Sequence, residues 1–425
     1  MHYQYKCTKC YKKYNSNYIE ENNIYLCPDC GALHKNAPLE GVLSVEYDYP
    51  DILKKYGKEK ITDLLSGEFY SVPELFPLEF ERNDLEITFP GILPEQQKRV
   101  QLSSFFSEIN YKGIDLKLID DTRNPTFSYK DRASVLVAFK ALQLKKKSVI
   151  CASTGNAGSS IAGICSRLGL KSIIFVPEKI PTPKKLQIEM YGAELIKVAG
   201  DYDLAFDLSL EVSNSLNLYN RNTAYNPLTI EGKKTSAFDI YREYKNRLPD
   251  YIIVPAGDGV ILGGLYTGFL NLINLGLIEK LPKFIAAQPA NGCAIVDYFE
   301  KGIFEYKSSE TIADSLSAGA PRNLFMANEA LKKSDGFGVR IDDDDTLKFQ
   351  RDLSSKYGFL VEPAASITFA CVDHLIESGL ISAKDNVLLM LTGNGLKDTK
   401  SFEKFANIDK VFDKDAIFKH FGINT

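Results

Sequence analysis

The sequence has no excess of positive charge. Its 51 lysines and arginines face 55 aspartates and glutamates, a net charge of −4 over 425 residues. That balance excludes a broad nucleic-acid or anionic-membrane surface. A long apolar run is also missing. The most apolar region, residues 251–278, is broken by Pro255, Asp258 and several glycines, so no membrane-spanning helix is expected. The residues from Met1 to Cys7 hold no basic segment followed by an apolar core, and no secretory signal is expected. There is no internal repeat and no low-complexity tract. The P-loop lysine pattern and G-x-G-x-x-G are absent as well. The acidic run Asp342–Asp345 lacks EF-hand spacing and reads as a solvated helix start.

What remains is the composition of a soluble globular protein, with 44% apolar and 25% charged residues. The length allows two or three domains and ample core. The cysteines divide into two sets. Cys151, Cys165, Cys293 and Cys371 are scattered in apolar surroundings and read as reduced core residues, which fits a cytoplasmic protein. Cys7, Cys10, Cys27 and Cys30 form C-x2-C-x16-C-x2-C. Two such knuckles can bring four thiolates into a tetrahedron, the closed structural site that zinc favours. The alternatives are unliganded or redox-active pairs, or a nucleic-acid-binding ribbon. Lys6, Lys9, Lys12 and Lys13 lean toward the last, and Glu20, Glu21 and Asp29 against it.

One stretch organises the rest of the chain. Asn124 to Arg132 reads N-P-T-F-S-Y-K-D-R, with Lys130 between Tyr129 and Asp131. Residues 133–144 then place apolar side chains three and four apart. This predicts a helix with Lys130 at its mouth and Ser128 as its N-cap. The positive end of a helix disfavours a protonated amine and suits a lysine to imine chemistry. The plain alternative is a solvated lysine in a first turn.

After this helix, short apolar strands alternate with amphipathic helices. The strands include residues 147–153, 172–177, 195–198, 251–256, 284–289 and 386–391. Such alternation implies parallel βαβ units. Three strand-to-loop junctions stand where ligands of such sheets bind. In S-T-G-N-A-G, Ser153 and Thr154 can hold a carboxylate and Asn156 can reach a ring hydroxyl. In P-A-G-D-G-V-I, Gly257, Asp258, Gly259, Val260 and Ile261 can aim N–H groups at a phosphate ahead of a helix. In L-T-G-N-G-L-K-D, Thr392 can meet a heterocycle nitrogen. Each loop alone is weak, because glycine turns are common at strand ends. Beside Lys130, the three together describe a pyridoxal phosphate site.

On these motifs the chain resembles the threonine synthases of the tryptophan-synthase-β-like class. Further motifs carry the resemblance: T-I-A-D-S-L-S-A-G-A-P-R-N from Thr311, G-F-L-V-E-P-A-A-S from Gly358 and T-G-N-G-L-K-D from Thr392. It implies an α/β, two-domain, parallel-sheet enzyme of fold type II with a zinc-ribbon-like segment over residues 1–36. The larger domain would span 37–124 and 225–425, and the smaller 125–224. Lys130 would carry pyridoxal 5'-phosphate and act in catalysis. Asn156 would meet its ring oxygen, residues 257–261 its phosphate and Thr392 its ring nitrogen. Ser153 and Thr154 would grip the substrate carboxylate. The implied reaction turns O-phospho-L-homoserine into L-threonine, and a homo-oligomer is compatible with it.

Three residues depart from the family pattern. Phe127 stands for its glycine, Tyr129 for its phenylalanine and Asn394 for its histidine. Phe127 and Asn394 are expected to reshape the substrate pocket. They keep open a related replacement enzyme such as cysteate synthase, which takes O-phosphoserine. A scaffold without chemistry is disfavoured by the intact Lys130, Asn156 and Thr392. Lys184, Lys185 and Arg132 are the candidates to hold the substrate phosphate.

Overall fold

The computed structural model describes residues 2–65, 71–82, 87–102, 104–153, 155–178, 182–200, 202–245, 247–403, 405 and 411–423. Two parallel sheets carry the site. One has four parallel strands in the spatial order Glu194–Val198, Lys171–Pro177, Ser148–Ala152 and Tyr219–Asn220. The other has six, in the order Phe337–Ile341, Lys283–Pro289, Tyr251–Pro255, Val387–Leu391, Ile114–Asp120 and Phe105–Tyr111. All of these pair in parallel except Phe105–Tyr111, which closes one edge antiparallel. The central strands read V-I-C-A, I-I-V-P and V-L-L-M-L and are buried almost throughout. Continuous apolar runs of this kind are what a sheet covered on both faces requires.

The N-terminal segment forms a separate antiparallel sheet. Tyr3–Cys7 lies between Lys13–Asn15 and Leu43–Tyr47, so its last strand falls beyond residue 36. The segment docks on the rest through buried polar groups. Lys140 donates to Glu20 at 3.0 Å and to the Tyr3 hydroxyl at 2.9 Å, and the Tyr3 and Tyr5 hydroxyls also reach Glu20. Lys234 bonds Glu231 and, at 2.9 Å, the Tyr47 hydroxyl. Both lysines are essentially unexposed, so each ammonium depends on these partners.

No helix among the described residues is long and apolar enough to cross a membrane. The four scattered cysteines form no disulfide, and three of them are buried. The acidic run departs from its expected role. Asp343 begins the helix Asp343–Tyr357, yet it accepts from the Thr311 hydroxyl at 2.6 Å and from Ile312 N–H at 3.0 Å. It therefore ties down a motif rather than facing water alone.

Candidate active site

Lys130 sits immediately before the helix Asp131–Gln143, half-buried. The loop that presents it is held by Asp131, not by Ser128. The Asp131 carboxylate accepts from Thr126 N–H at 2.6 Å, from the Thr126 hydroxyl and from Ser160 Oγ at 2.6 Å. Ser128 contributes only its carbonyl, to Asp131 N–H, and its buried hydroxyl has no partner. The helix starts too late for Ser128 to cap it. Lys130 has a lowered pKa, the direction anticipated from the helix end, but the main cause is lost hydration. Asp258 and Glu362 act against that shift, and Arg221 with it.

Lys130 opens into a cleft of about 440 Å³, which Ser153, Asn156, Thr223, Asp258 and Ser315 also line. Asn156 begins the helix Asn156–Leu168. Its Nδ2 donates to Glu362 at 2.6 Å, and its Oδ1 is buried without a partner. Glu362 is buried, which pushes its carboxyl up, while the Lys184 and Lys397 ammonium groups pull it back. Any side chain at Gly393 would strike the Glu362 carboxylate, whose oxygen lies 1.9 Å from where a Cβ would stand. Gly393 thus lets Glu362 reach Asn156. Ser153 is 8% exposed, and its hydroxyl accepts from Gly155 N–H at 3.2 Å. Thr154 lies outside the described residues.

The last glycine loop runs beside the lysine loop. Thr392 is half-buried, its carbonyl accepts from Tyr129 N–H at 2.9 Å, and Gly393 bridges Ser128. Asn394 donates its N–H to the Phe127 carbonyl at 3.1 Å, while its Oδ1 caps Leu396 N–H. Both family departures sit at this crossing of two loops and take part in it through backbone groups. Phe127 is 48% exposed, has φ +67° and does not line the cleft. The expectation that it reshapes the substrate pocket is not met in this arrangement, because its half-exposed side chain is not among those that line the cleft. Glycine suits that position because the backbone is left-handed.

The loop at 257–261 follows the strand Tyr251–Pro255 and opens the helix Val260–Asn274. Gly259 has φ +78°, and a Cβ there would meet Ala327 Cβ at 2.8 Å and the Asn323 carbonyl at 2.9 Å. Asn323 fastens the loop by donating its N–H to the Asp258 carbonyl at 2.9 Å. No side chain caps this helix, so its first N–H groups stay open. A small cavity there is lined by Lys130, Thr223, Lys233 and residues 255–262, among others.

Of the three cations proposed for a substrate phosphate, Arg132 is wholly buried and spent on Asp121 at 2.9 Å and Asp239 at 2.8 Å. Lys185 pairs with Glu189 on its own helix. Lys184 is buried and reaches across to Asp314, which lines the cleft. Sequence reasoning missed Glu362, Lys397, Lys233 and Arg221. The signal for the first two was their place inside motifs already noticed.

The four sulphurs of Cys7, Cys10, Cys27 and Cys30 lie within 4.8 Å of one another. This closed set of thiols fits zinc. Burial raises the Cys27 thiol, but bonds from the Tyr14 hydroxyl and backbone N–H groups outweigh it and bring it down to about 6.

The family profile described as "Pyridoxal-phosphate dependent enzyme" matches residues 99–393. A threonine synthase of Methanocaldococcus jannaschii is 32% identical over 92% of both chains. The chain belongs to the threonine synthase family of pyridoxal-phosphate-dependent lyases. A threonine synthase of Methanosarcina acetivorans is 30% identical over 98% of this chain and 99% of its own. Among solved structures, the processed form of threonine deaminase isoform 2 from Solanum lycopersicum superposes with a TM-score of 0.61 at 19% identity. It covers 85% of this chain and 94% of the deaminase. That likeness bears on the fold, which is fold type II. Membership in the family brings the cofactor with it. An orphaned amide oxygen on Asn156, an orphaned amine on Lys233 and an uncapped helix end fit a phosphorylated aromatic aldehyde.

Proposed function

We propose that this enzyme eliminates phosphate from O-phospho-L-homoserine and adds water at Cβ to give L-threonine. The observation that carries the reading is one cleft, in which Lys130, Asn156, Ser153 and Asp258 stand together. The names of its relatives point the same way. When bound, pyridoxal phosphate supplies the electron sink for carbanionic character at Cα. Lys130 would hold the cofactor through its aldehyde carbon, and its amine, when free, would move protons at the substrate's Cα and Cβ. A lowered pKa suits it to receive them.

Asn156, steadied by Glu362, orients the ring through its hydroxyl oxygen. The open N–H groups of residues 257–261 take the cofactor phosphate. Thr392 meets the ring nitrogen with a hydroxyl, which does not favour a protonated ring as a carboxylate would. That choice steers the site toward elimination and replacement. Ser153 and Thr154 hold the substrate carboxylate, and Lys184 is the cation for its phosphate. We read the cleft as lying between a smaller unit, 125–224, and a larger one, 37–124 with 225–425.

The test is a comparison of substrates at equal concentration. O-phospho-L-homoserine should release phosphate at least 100-fold faster than O-phosphoserine supplied with sulfite. The reverse order would make this a replacement enzyme of another substrate.

A further inference from the structure

Lys233 is fully buried, and its amino group has no hydrogen-bond partner. A buried amine without a partner is costly unless something outside the chain completes it. It lines the small cavity formed by residues 255–262 at the open end of the helix Val260–Asn274. Close packing puts it there. Gly264 presents no side chain, and a Cβ on it would fall 2.6 Å from Lys233 Cβ. Tyr129 fixes the backbone, donating its hydroxyl to the Lys233 carbonyl at 2.9 Å. This is the residue at which the chain departs from its family's phenylalanine.

The surroundings are short of negative charge. Lys130 and Arg221 both oppose a charge on Lys233, and Asp258 favours one. Arg221 is buried too, with one Nη left without a partner. No carboxylate pairs with Lys233 or Arg221 among the described residues. The missing charge is therefore anionic and sits at the helix end.

We infer that Lys233 is the counter-charge of the cofactor phosphate, added to the backbone N–H groups of residues 257–261 and positioned by Tyr129. The inference rests on the assignment of that loop to the phosphate. A lysine kept neutral by burial would gain its proton as the dianion enters. Lys233 then selects pyridoxal phosphate over its unphosphorylated analogue pyridoxal.

The test is the ratio of affinities for pyridoxal phosphate and pyridoxal, read from the visible absorbance of apoprotein titrated with each. Lys233→Met should lower the preference for the phosphorylated form at least tenfold and leave pyridoxal affinity unchanged. Tyr129→Phe should lower it by a smaller factor. An unchanged ratio in a folded Lys233→Met protein overturns the inference. Gly259→Ala separates the two assignments. If it loses the preference and Lys233→Met keeps it, the loop assignment stands and Lys233 falls. If neither variant loses it, both fall. Should Lys233→Met fail to fold, calorimetry of the wild-type protein at pH 8, in buffers of different ionisation heat, decides. Uptake of about one more proton with pyridoxal phosphate than with pyridoxal supports the inference, since the phosphate is already dianionic above its second pKa near 6. Equal proton counts overturn it.

Discussion

At the scale of single residues, two side chains make measurable claims. Phe127 holds a left-handed backbone, which costs an L-residue about 1–2 kcal/mol. Glycine would remove that strain but lose about 0.5–1 kcal/mol through the freer unfolded chain. Phe127→Gly should therefore raise stability slightly, by no more than about 1 kcal/mol in urea unfolding. Substrate preference should not change, because the ring does not line the cleft. A changed preference would restore Phe127 to the pocket. Lys397 makes the second claim. Its ammonium donates to the Thr126 carbonyl, Ser159 and Gln187, yet burial lowers its pKa to about 8. An unfolded lysine titrates near 10.4. Between these values the unfolded chain binds more protons, so stability rises with pH there. Relative to Lys397→Met, the wild type should gain up to about 3 kcal/mol as pH climbs from 8 to 10.5. Denaturation midpoints of both proteins across that window check it, and a flat difference would refute it.

At the scale of elements, the N-terminal sheet is bonded to the helix that follows Lys130. Glu20 accepts from Lys140 of that helix and from two tyrosines, all buried. Removing one partner of a buried pair strands the other charge and costs about 3–5 kcal/mol. Glu20→Ala should lose roughly that much in urea unfolding, and a loss below about 1 kcal/mol would mean that water replaces the contact. Elements like these were largely legible in the sequence. The apolar runs at 147–153, 251–256 and 386–391 became central strands, since they had no polar face to turn outward. One of the amphipathic helices that alternate with these strands spans Tyr202–Ser215. The motif loops also fell at strand ends, as strand-to-helix chemistry requires. What could not be read was which charges are buried. In T-I-E-G-K-K-T, Lys233 and Lys234 look like solvated helix charges. Glycines at 264 and 268, thirty residues later, press that segment into the interior. Nor could the sequence show that Asp131 and not Ser128 holds the lysine loop, because the two stand three residues apart, within one turn.

At the scale of the whole molecule, the N-terminal segment links the four thiols to the cleft. Tyr47 of the N-terminal sheet bonds Lys234, the neighbour of Lys233. Leu39 donates its N–H to the carbonyl of Arg322, and Arg322 lines the cleft with Asn36. If zinc holds the four thiolates, removing it frees the end of that sheet. Chelation should lower the melting temperature and weaken pyridoxal phosphate binding together, because binding free energy at such a site is folding free energy. Scanning calorimetry and cofactor titration on the same chelated sample check both. A fall in melting temperature with unchanged cofactor affinity would confine the metal to local stability.

The measurement that bears most directly on the account is product analysis in oxygen-labelled water. Purified protein loaded with pyridoxal phosphate is given O-phospho-L-homoserine, with Lys130→Ala alongside. The proposed reaction releases one phosphate per threonine formed and places the label in the threonine hydroxyl, and the variant should give neither product. Phosphate without threonine, or turnover that survives the loss of Lys130, would contradict it.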